Sequence, residues 1–225
     1  MDRTIVSVTK NFVNLIYPLR CAACGKSLNP VDEFGVCRVC LNKIRRNPKP
    51  YSRSCGLFFF EKAYSACLYE GALKELIRLF KYKGRISLAK ILSKLMIDFI
   101  KENDEILYGI DIITFVPIQA RRLRERGFNQ SRALALNLSK EFGIPVTDAL
   151  KKTKLTKPQN ELTRNERLTN LKNAFKARGR LKLKGNAILL IDDVMTTGAT
   201  LSECSKVLLD AGAESVRCLT LARGI

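Results

Sequence analysis

Neither histidine nor tryptophan occurs in the 225-residue chain. The first absence excludes a Ser-His-Asp triad, a histidine general base and any histidine metal ligand. Acidic residues are scarce as well: 21 Asp and Glu stand against 40 Lys and Arg, a formal charge of +19. No apolar run approaches the roughly 20 residues that a membrane-spanning helix needs; the longest are 57–60 and 187–191. Asp2 and Lys10 interrupt the apolar residues at the N-terminus, and no small-residue cleavage site follows, so no secretory signal is expected. The expectation is a cytoplasmic chain without a membrane span, with peripheral association with an anionic membrane left open. What remains, 46% apolar and 27% charged, is ordinary globular composition. It is enough for one sizeable core and a small appendage.

The positive charge is concentrated. Residues 111–186 hold 18 Lys and Arg against 6 Asp and Glu, a local excess of +12, whereas 187–225 hold 3 against 5. Such a block attracts phosphates, whether of nucleic acid, a nucleotide, a pyrophosphate-bearing sugar or a lipid surface; charge alone does not choose among them. The eight cysteines divide in a similarly informative way. Four form Cys21-x2-Cys24-x12-Cys37-x2-Cys40, while Cys55, Cys67, Cys204 and Cys218 are scattered. Two CxxC turns bring four thiolates to the corners of a tetrahedron, the arrangement zinc prefers, and the metal supplies folding energy that so short a segment lacks. Gly25 frees the backbone to turn beneath the metal. Two disulfides are the alternative and require an oxidising compartment.

Periodicity organises the rest. Helical spacing of apolar residues predicts helices over 4–19, 73–82, 87–101, 129–142 and 200–211. Extended segments are expected at 57–69, 110–116, 144–146, 186–191 and 215–222, and a linker at 47–50. Strands alternating with helices imply an α/β fold, a mainly parallel sheet flanked by helices, with its site at the carboxyl ends of the strands. Residues 150–183 show no clear strand and read as a long polar, basic insertion. The domain division expected is 1–50 for the N-terminal helix and four-cysteine ribbon and 51–225 for the α/β part, with a hood at about 57–105 and a core at about 110–225.

The chemistry concentrates after the apolar strand 187–191. Asp192 and Asp193 end it, Val194 and Met195 follow, and Thr196, Thr197, Gly198, Ala199 and Thr200 lead into a helix. A helix N-terminus offers unpaired N–H groups and partial positive charge, so it can hold a phosphate. Adjacent carboxylates can accept hydrogen bonds from a ribose diol or help hold Mg2+. A merely capped turn with solvated carboxylates is the bland alternative.

This segment resembles the signature with which type I phosphoribosyltransferases bind phosphoribosyl pyrophosphate (PRPP). One branch is closer, the competence protein F family, which joins a four-cysteine zinc ribbon to this domain and is implicated in natural transformation and DNA uptake. Other blocks carry the likeness: Phe80-Lys81-Tyr82-Lys83-Gly84, Val116-Pro117-Ile118, Arg126-Gly127-Phe128-Asn129-Gln130, and the spaced set Gln159, Leu162, Arg167, Asn170 and Phe175. It extends from about residue 21 to 223. One departure is Ser52, where relatives often have a further cysteine, which leaves Cys55 a spare thiol.

The resemblance implies that Asp192 and Asp193 hold the ribose hydroxyls, that residues 194–200 surround the 5′-phosphate, and that Pro117, Ile118 and Gln119 form the pyrophosphate loop. The basic stretch at about 150–180 stands where such enzymes have a mobile closing loop. Arg121, Arg122, Arg124, Arg126, Lys152, Arg164 and Arg167 are candidates for the leaving pyrophosphate, and Lys81 and Lys83 for the pocket rim or DNA. Structural Zn2+, Mg2+ with PRPP, single-stranded DNA and proteins of the import machinery are the implied partners. Two other readings stay open: a housekeeping transferase acting on a small base, and a zinc-ribbon nucleic-acid adaptor without catalysis. The acceptor is not legible.

Overall fold

The computed structural model describes residues 19–29, 32, 34–48, 58–82, 84–153, 173–179 and 183–224. The helix expected over 4–19 (residue 19 apart), together with Ser52, Cys55, Lys83, Arg164 and Arg167, lies outside the described residues. In chain order the elements are α1 (Arg38–Asn42), β1 (Lys62–Leu68), α2 (Gly71–Tyr82), α3 (Leu88–Lys101), a 3-10 turn (Asp104–Ile106), β2 (Ile112–Phe115), α4 (Ala120–Arg126), α5 (Gln130–Phe142), β3 (Leu150–Lys152), β4 (Phe175–Ala177), β5 (Ala187–Met195), α6 (Ala199–Asp210) and β6 (Ser215–Arg223).

Four strands form a wholly parallel sheet in the order β1-β6-β5-β2. Both faces are covered, which is why β5 and β6 read as continuous apolar runs rather than alternating ones. Leu189, Ile191, Leu219 and Leu221 point to the side of α2, α3 and α5; Ile188, Leu190, Val216 and Cys218 point to the side of α6. A polar pair in this interior is satisfied, Ser65 Oγ and Thr220 Oγ1 lying 2.6 Å apart, while Thr220 Oγ1 also donates to Tyr64 O.

Three features differ from expectation. The stretch 57–69, assigned to the hood, supplies an edge strand of the core sheet, because every residue from Ala63 to Cys67 is buried and needs covering on both faces. Residues 144–146 make only a bridge from Val146 to Ile113. The insertion begins and ends in a short antiparallel pair, β3 with β4, whose buried Leu150 and Phe175 seat it on the α6 side. The end of the ribbon is tied to the sheet: residues 45–47 hydrogen-bond along β1, and Arg46 Nη1 donates to Leu95 O at 2.8 Å. Among the described residues no helix is long and apolar enough to cross a membrane.

Candidate functional site

A cleft of about 510 Å3 opens at the carboxyl ends of β2 and β5, where α/β sheets place their ligands. Its floor is Asp192, Asp193 and Val194, with Thr196 and Thr200 beside them. Met195 and Ala199 are buried behind that floor. Gly198 takes the positive φ of +80° that the turn from β5 into α6 requires, and the stacked rings of Phe58 and Phe60 pack against it. Thr197 Oγ1 accepts from the N–H of Ala199, tying the turn to the helix start.

The second wall is the turn after β2. Pro117, Ile118 and Gln119 line the cleft, followed by Arg122 and Arg126 of α4 and by Gln130 and Ser131 at the start of α5. Asn129 fixes this corner: its amide donates to Val116 O at 3.0 Å, and its carbonyl oxygen accepts from Arg132 N, capping α5. From the remaining sides come Lys152 of β3, Phe175 of β4, Tyr69 just after β1, and Arg78, Lys81 and Tyr82 of α2. Arg121 faces away and pairs with Glu125 at 2.8 Å, and Arg124 also stays outside the lining.

The charges are paired across elements. Lys81 Nζ reaches 2.9 Å from Asp193 Oδ1, both groups largely buried. Burial works against the ammonium, but the charge and hydrogen bond of Asp193 outweigh it and hold Lys81 above the usual lysine range. Asp192 Oδ1 accepts from Ser131 Oγ and from the Asp193 N–H, each at 2.8 Å. Burial and then the neighbouring charge of Asp193 push the Asp192 carboxyl up to about 7, against the pull of Lys81 and those hydrogen bonds. Burial lowers both Arg126 and Lys152, with Arg122 adding repulsion at each. Among the described residues neither Arg122 nor Lys152 forms a salt bridge. The cleft thus carries a carboxylate floor and a cationic wall. Sequence reading found Asp192 and Asp193 from their motif but missed Gln130 and Ser131 as lining residues, although both lie in or beside the quoted Arg126–Gln130 block.

A stability consequence follows for Asp192. Its folded-state value near 7 lies above the unfolded value of about 3.9. The folded chain therefore holds more protons in that window, and this residue's contribution to stability falls as pH rises from about 4 to 7. Asn keeps the oxygen that accepts from Ser131 and carries no charge. Asp192→Asn is expected to stabilise the fold by about 1–2 kcal/mol at pH 8, or about 2–8 °C in Tm, with the gain fading by pH 5. Thermal melts of the two proteins at both pH values check this, and an unchanged or lower Tm at pH 8 contradicts it.

Away from the cleft, the sulfurs of Cys21, Cys24, Cys37 and Cys40 all lie within 4.8 Å of one another. A Zn–S length of about 2.3 Å puts the corners of a tetrahedron about 3.8 Å apart, and Cys24 and Cys37 are separated by 3.8 Å. Gly25, at φ +73°, donates its N–H to Cys21 O and closes the first turn. Burial disfavours ionisation of Cys21, yet N–H groups of Cys37, Cys24 and Ala23 bring its thiol down to about 6. Burial and the neighbouring thiols push Cys40 up. The donor set among the described residues, four sulfurs, fits a closed structural zinc site. Cys67, Cys204 and Cys218 are buried in the main core as free thiols.

Comparison with known proteins agrees with both halves. Residues 94–225 match the Phosphoribosyl transferase domain family, and residues 12–68 match the Double zinc ribbon domain family. The chain is 30% identical to Competence protein F of Haemophilus influenzae, over 95% of this chain and 99% of that one. It is 30% identical to DNA utilization protein YhgH of Escherichia coli, over 93% and 99%. Against Competence protein ComFC of Streptococcus pneumoniae the identity is 31%, over 90% and 87%.

Proposed function

The chain belongs to the competence protein F family and carries a phosphoribosyl transferase domain, and on that premise we propose that it binds PRPP in the cleft above β5 and assists the handling of incoming DNA. One observation carries this reading: a paired acidic floor, a glycine turn entering a helix N-terminus and a cationic wall meet in one cleft. Asp192 and Asp193 take the ribose diol, the 196–200 turn the 5′-phosphate, and the wall of Pro117–Gln119, Arg122, Arg126 and Lys152 the diphosphate. Lys81 joins the hood helix α2 to the acidic floor, so both layers build the site.

Transfer from PRPP breaks the bond between C1 and the diphosphate oxygen, with positive charge on the ring and negative charge on the leaving group. The residues here position the ring and hold the leaving group; no general base is required of them for that step. Mg2+, when bound, neutralises diphosphate charge, and its preference for oxygen ligands suits the carboxylate floor. The acceptor would enter beside Tyr69 and Tyr82, on the α2 side. The DNA role rests on the names of the relatives and on the basic block at 111–186. Single-stranded DNA and proteins of the import machinery are the partners proposed, and the cytoplasm is the compartment.

Titration calorimetry of PRPP with Mg2+ tests the reading. Saturable binding is expected for the wild type, weakened about 100-fold or more in Asp192→Asn/Asp193→Asn, which loses both charged acceptors. A wild type that binds no PRPP overturns the site assignment. Anisotropy of a labelled oligonucleotide tests the other limb: affinity should fall steeply between 50 and 200 mM salt, as phosphate contacts require.

A further inference from the structure

Gln130 is 1% exposed, and its Nε2 is the buried side-chain polar atom that lacks a hydrogen-bond partner among the described residues. The orientation of the amide is fixed by chemistry. Arg126 Nη1 lies 3.0 Å from the other end, and a guanidinium can only donate, so Oε1 must face it and Nε2 must face away. Arg126 is itself positioned, its guanidinium 5.0 Å from the centre of the Tyr82 ring at the rim of the cleft. An orphaned buried donor is costly to a fold, and such atoms are rare.

Gln130 is the first residue of α5, a helix of 13 residues whose N-terminus meets the cleft beside the 117–119 turn. Gln130 lines the cleft, its unpaired amide lies just beneath that lining, and the neighbouring side chains Arg122, Arg126 and Lys152 are cations. A ligand atom suited to that corner is an anionic oxygen. Asp192 and Asp193 do not serve the amide: the first accepts from Ser131 and the second pairs with Lys81.

We propose that Gln130 is a specificity-determining residue for the diphosphate of PRPP: its Nε2 donates to a diphosphate oxygen, directly or through one water, while Arg126 holds the amide in the donating orientation. The proposal rests on the PRPP reading and adds a buried, directional amide donor beside the cations Arg122, Arg126 and Lys152. Gln130 thereby belongs to the diphosphate subsite already assigned to this wall, not to the 5′-phosphate turn at the start of α6.

The test uses the full chain with three probes in Mg2+: PRPP, inorganic pyrophosphate and ribose 5-phosphate. Gln130→Glu keeps an oxygen for Arg126 and so keeps the corner folded, but presents a carboxylate where the donor stood. Gln130→Leu removes both ends of the amide and controls for charge. Both variants are expected to bind PRPP and pyrophosphate about tenfold or more weakly and ribose 5-phosphate within twofold of wild type. Equal loss for all three probes, or no loss for pyrophosphate, overturns the proposal. If the wild type binds pyrophosphate but not PRPP, and Gln130→Glu loses pyrophosphate, the PRPP reading falls while the subsite stands. If the wild type binds neither, both fall.

Discussion

Replacing Lys81 with methionine is expected to destabilise the fold by about 3–5 kcal/mol at pH 8, the range for removing one partner of a buried ion pair. Methionine keeps most of the stem, so little packing is lost; what is left behind is the charge. Asp193 is 7% exposed and sits beside Asp192, whose carboxyl already titrates near 7 because burial and Asp193 disfavour its ionisation. Without the ammonium at 2.9 Å, two adjacent carboxylates share a desolvated floor and one of them must take up a proton. Two consequences separate this account from a packing defect. Adding Asp193→Asn to the methionine variant should restore most of the lost stability, a coupling that a double-mutant cycle measures. The deficit should shrink as pH falls towards 5, since the native carboxylates bind protons that the unfolded chain does not, and stability therefore falls as pH rises through that window. Urea melts of the four proteins at pH 8 and pH 5.5 provide every value needed. A loss that Asp193→Asn leaves uncorrected at both pH values contradicts the account.

The same pair shows which parts of the site were legible in the sequence. Asp192 and Asp193 follow a wholly apolar strand and precede a glycine turn, a local pattern with a local meaning. Lys81 lies in a block that marked it as interesting, but nothing in its own helix says that it reaches Asp193. Gln130 and Ser131 are similar: their neighbours in sequence belong to a quoted block, while their partners Arg126 and Asp192 come together only when α5 packs on β5. Side-chain pairing across elements is a tertiary fact, and periodicity does not encode it.

The fold divides along the same line. Helices α2, α3, α5 and α6 announce themselves because one face of each is apolar at helical spacing. Helix α4 does not. Its sequence, Ala120 to Arg126, has no buried residue and therefore no stripe to read. Strands β3 and β4 are three residues each, contain Lys151, Lys152 and Lys176, and pair across the long basic insertion. Short, half-exposed strands that find each other at long range leave almost no local signal. The edge strand β1 reads as extended in the sequence, but its apolar run fits hood and core alike until its partner is known.

Substituting Cys24 by serine is expected to be disruptive out of proportion to its surroundings. The side chain is exposed, and away from special features an exposed substitution costs no more than about 0.5 kcal/mol. Cys24 also stands at one corner of four converging sulfurs. If zinc joins them, losing one thiolate opens a closed site whose binding free energy is folding free energy, about 10–16 kcal/mol in isolated zinc-finger peptides. The effect should not stay within the ribbon. Cys21, Val36, Cys40 and Ile44 belong to the same buried cluster as Leu92 and Leu95 of α3, and residues 45–47 hydrogen-bond to β1. A ribbon that melts withdraws cover from the sheet edge that lies beside β6. Elemental analysis of wild type purified without chelator should give about one zinc per chain, and Cys24→Ser should have less than half of that. Its Tm should fall by about 6 °C or more, the equivalent of about 3 kcal/mol in a chain of this size. A chelator should bring the wild type to the same Tm and leave the variant little changed, since both act on one metal. A serine variant that melts with the wild type, from a protein without zinc, would mean that apolar packing of the ribbon against α3 suffices to hold it.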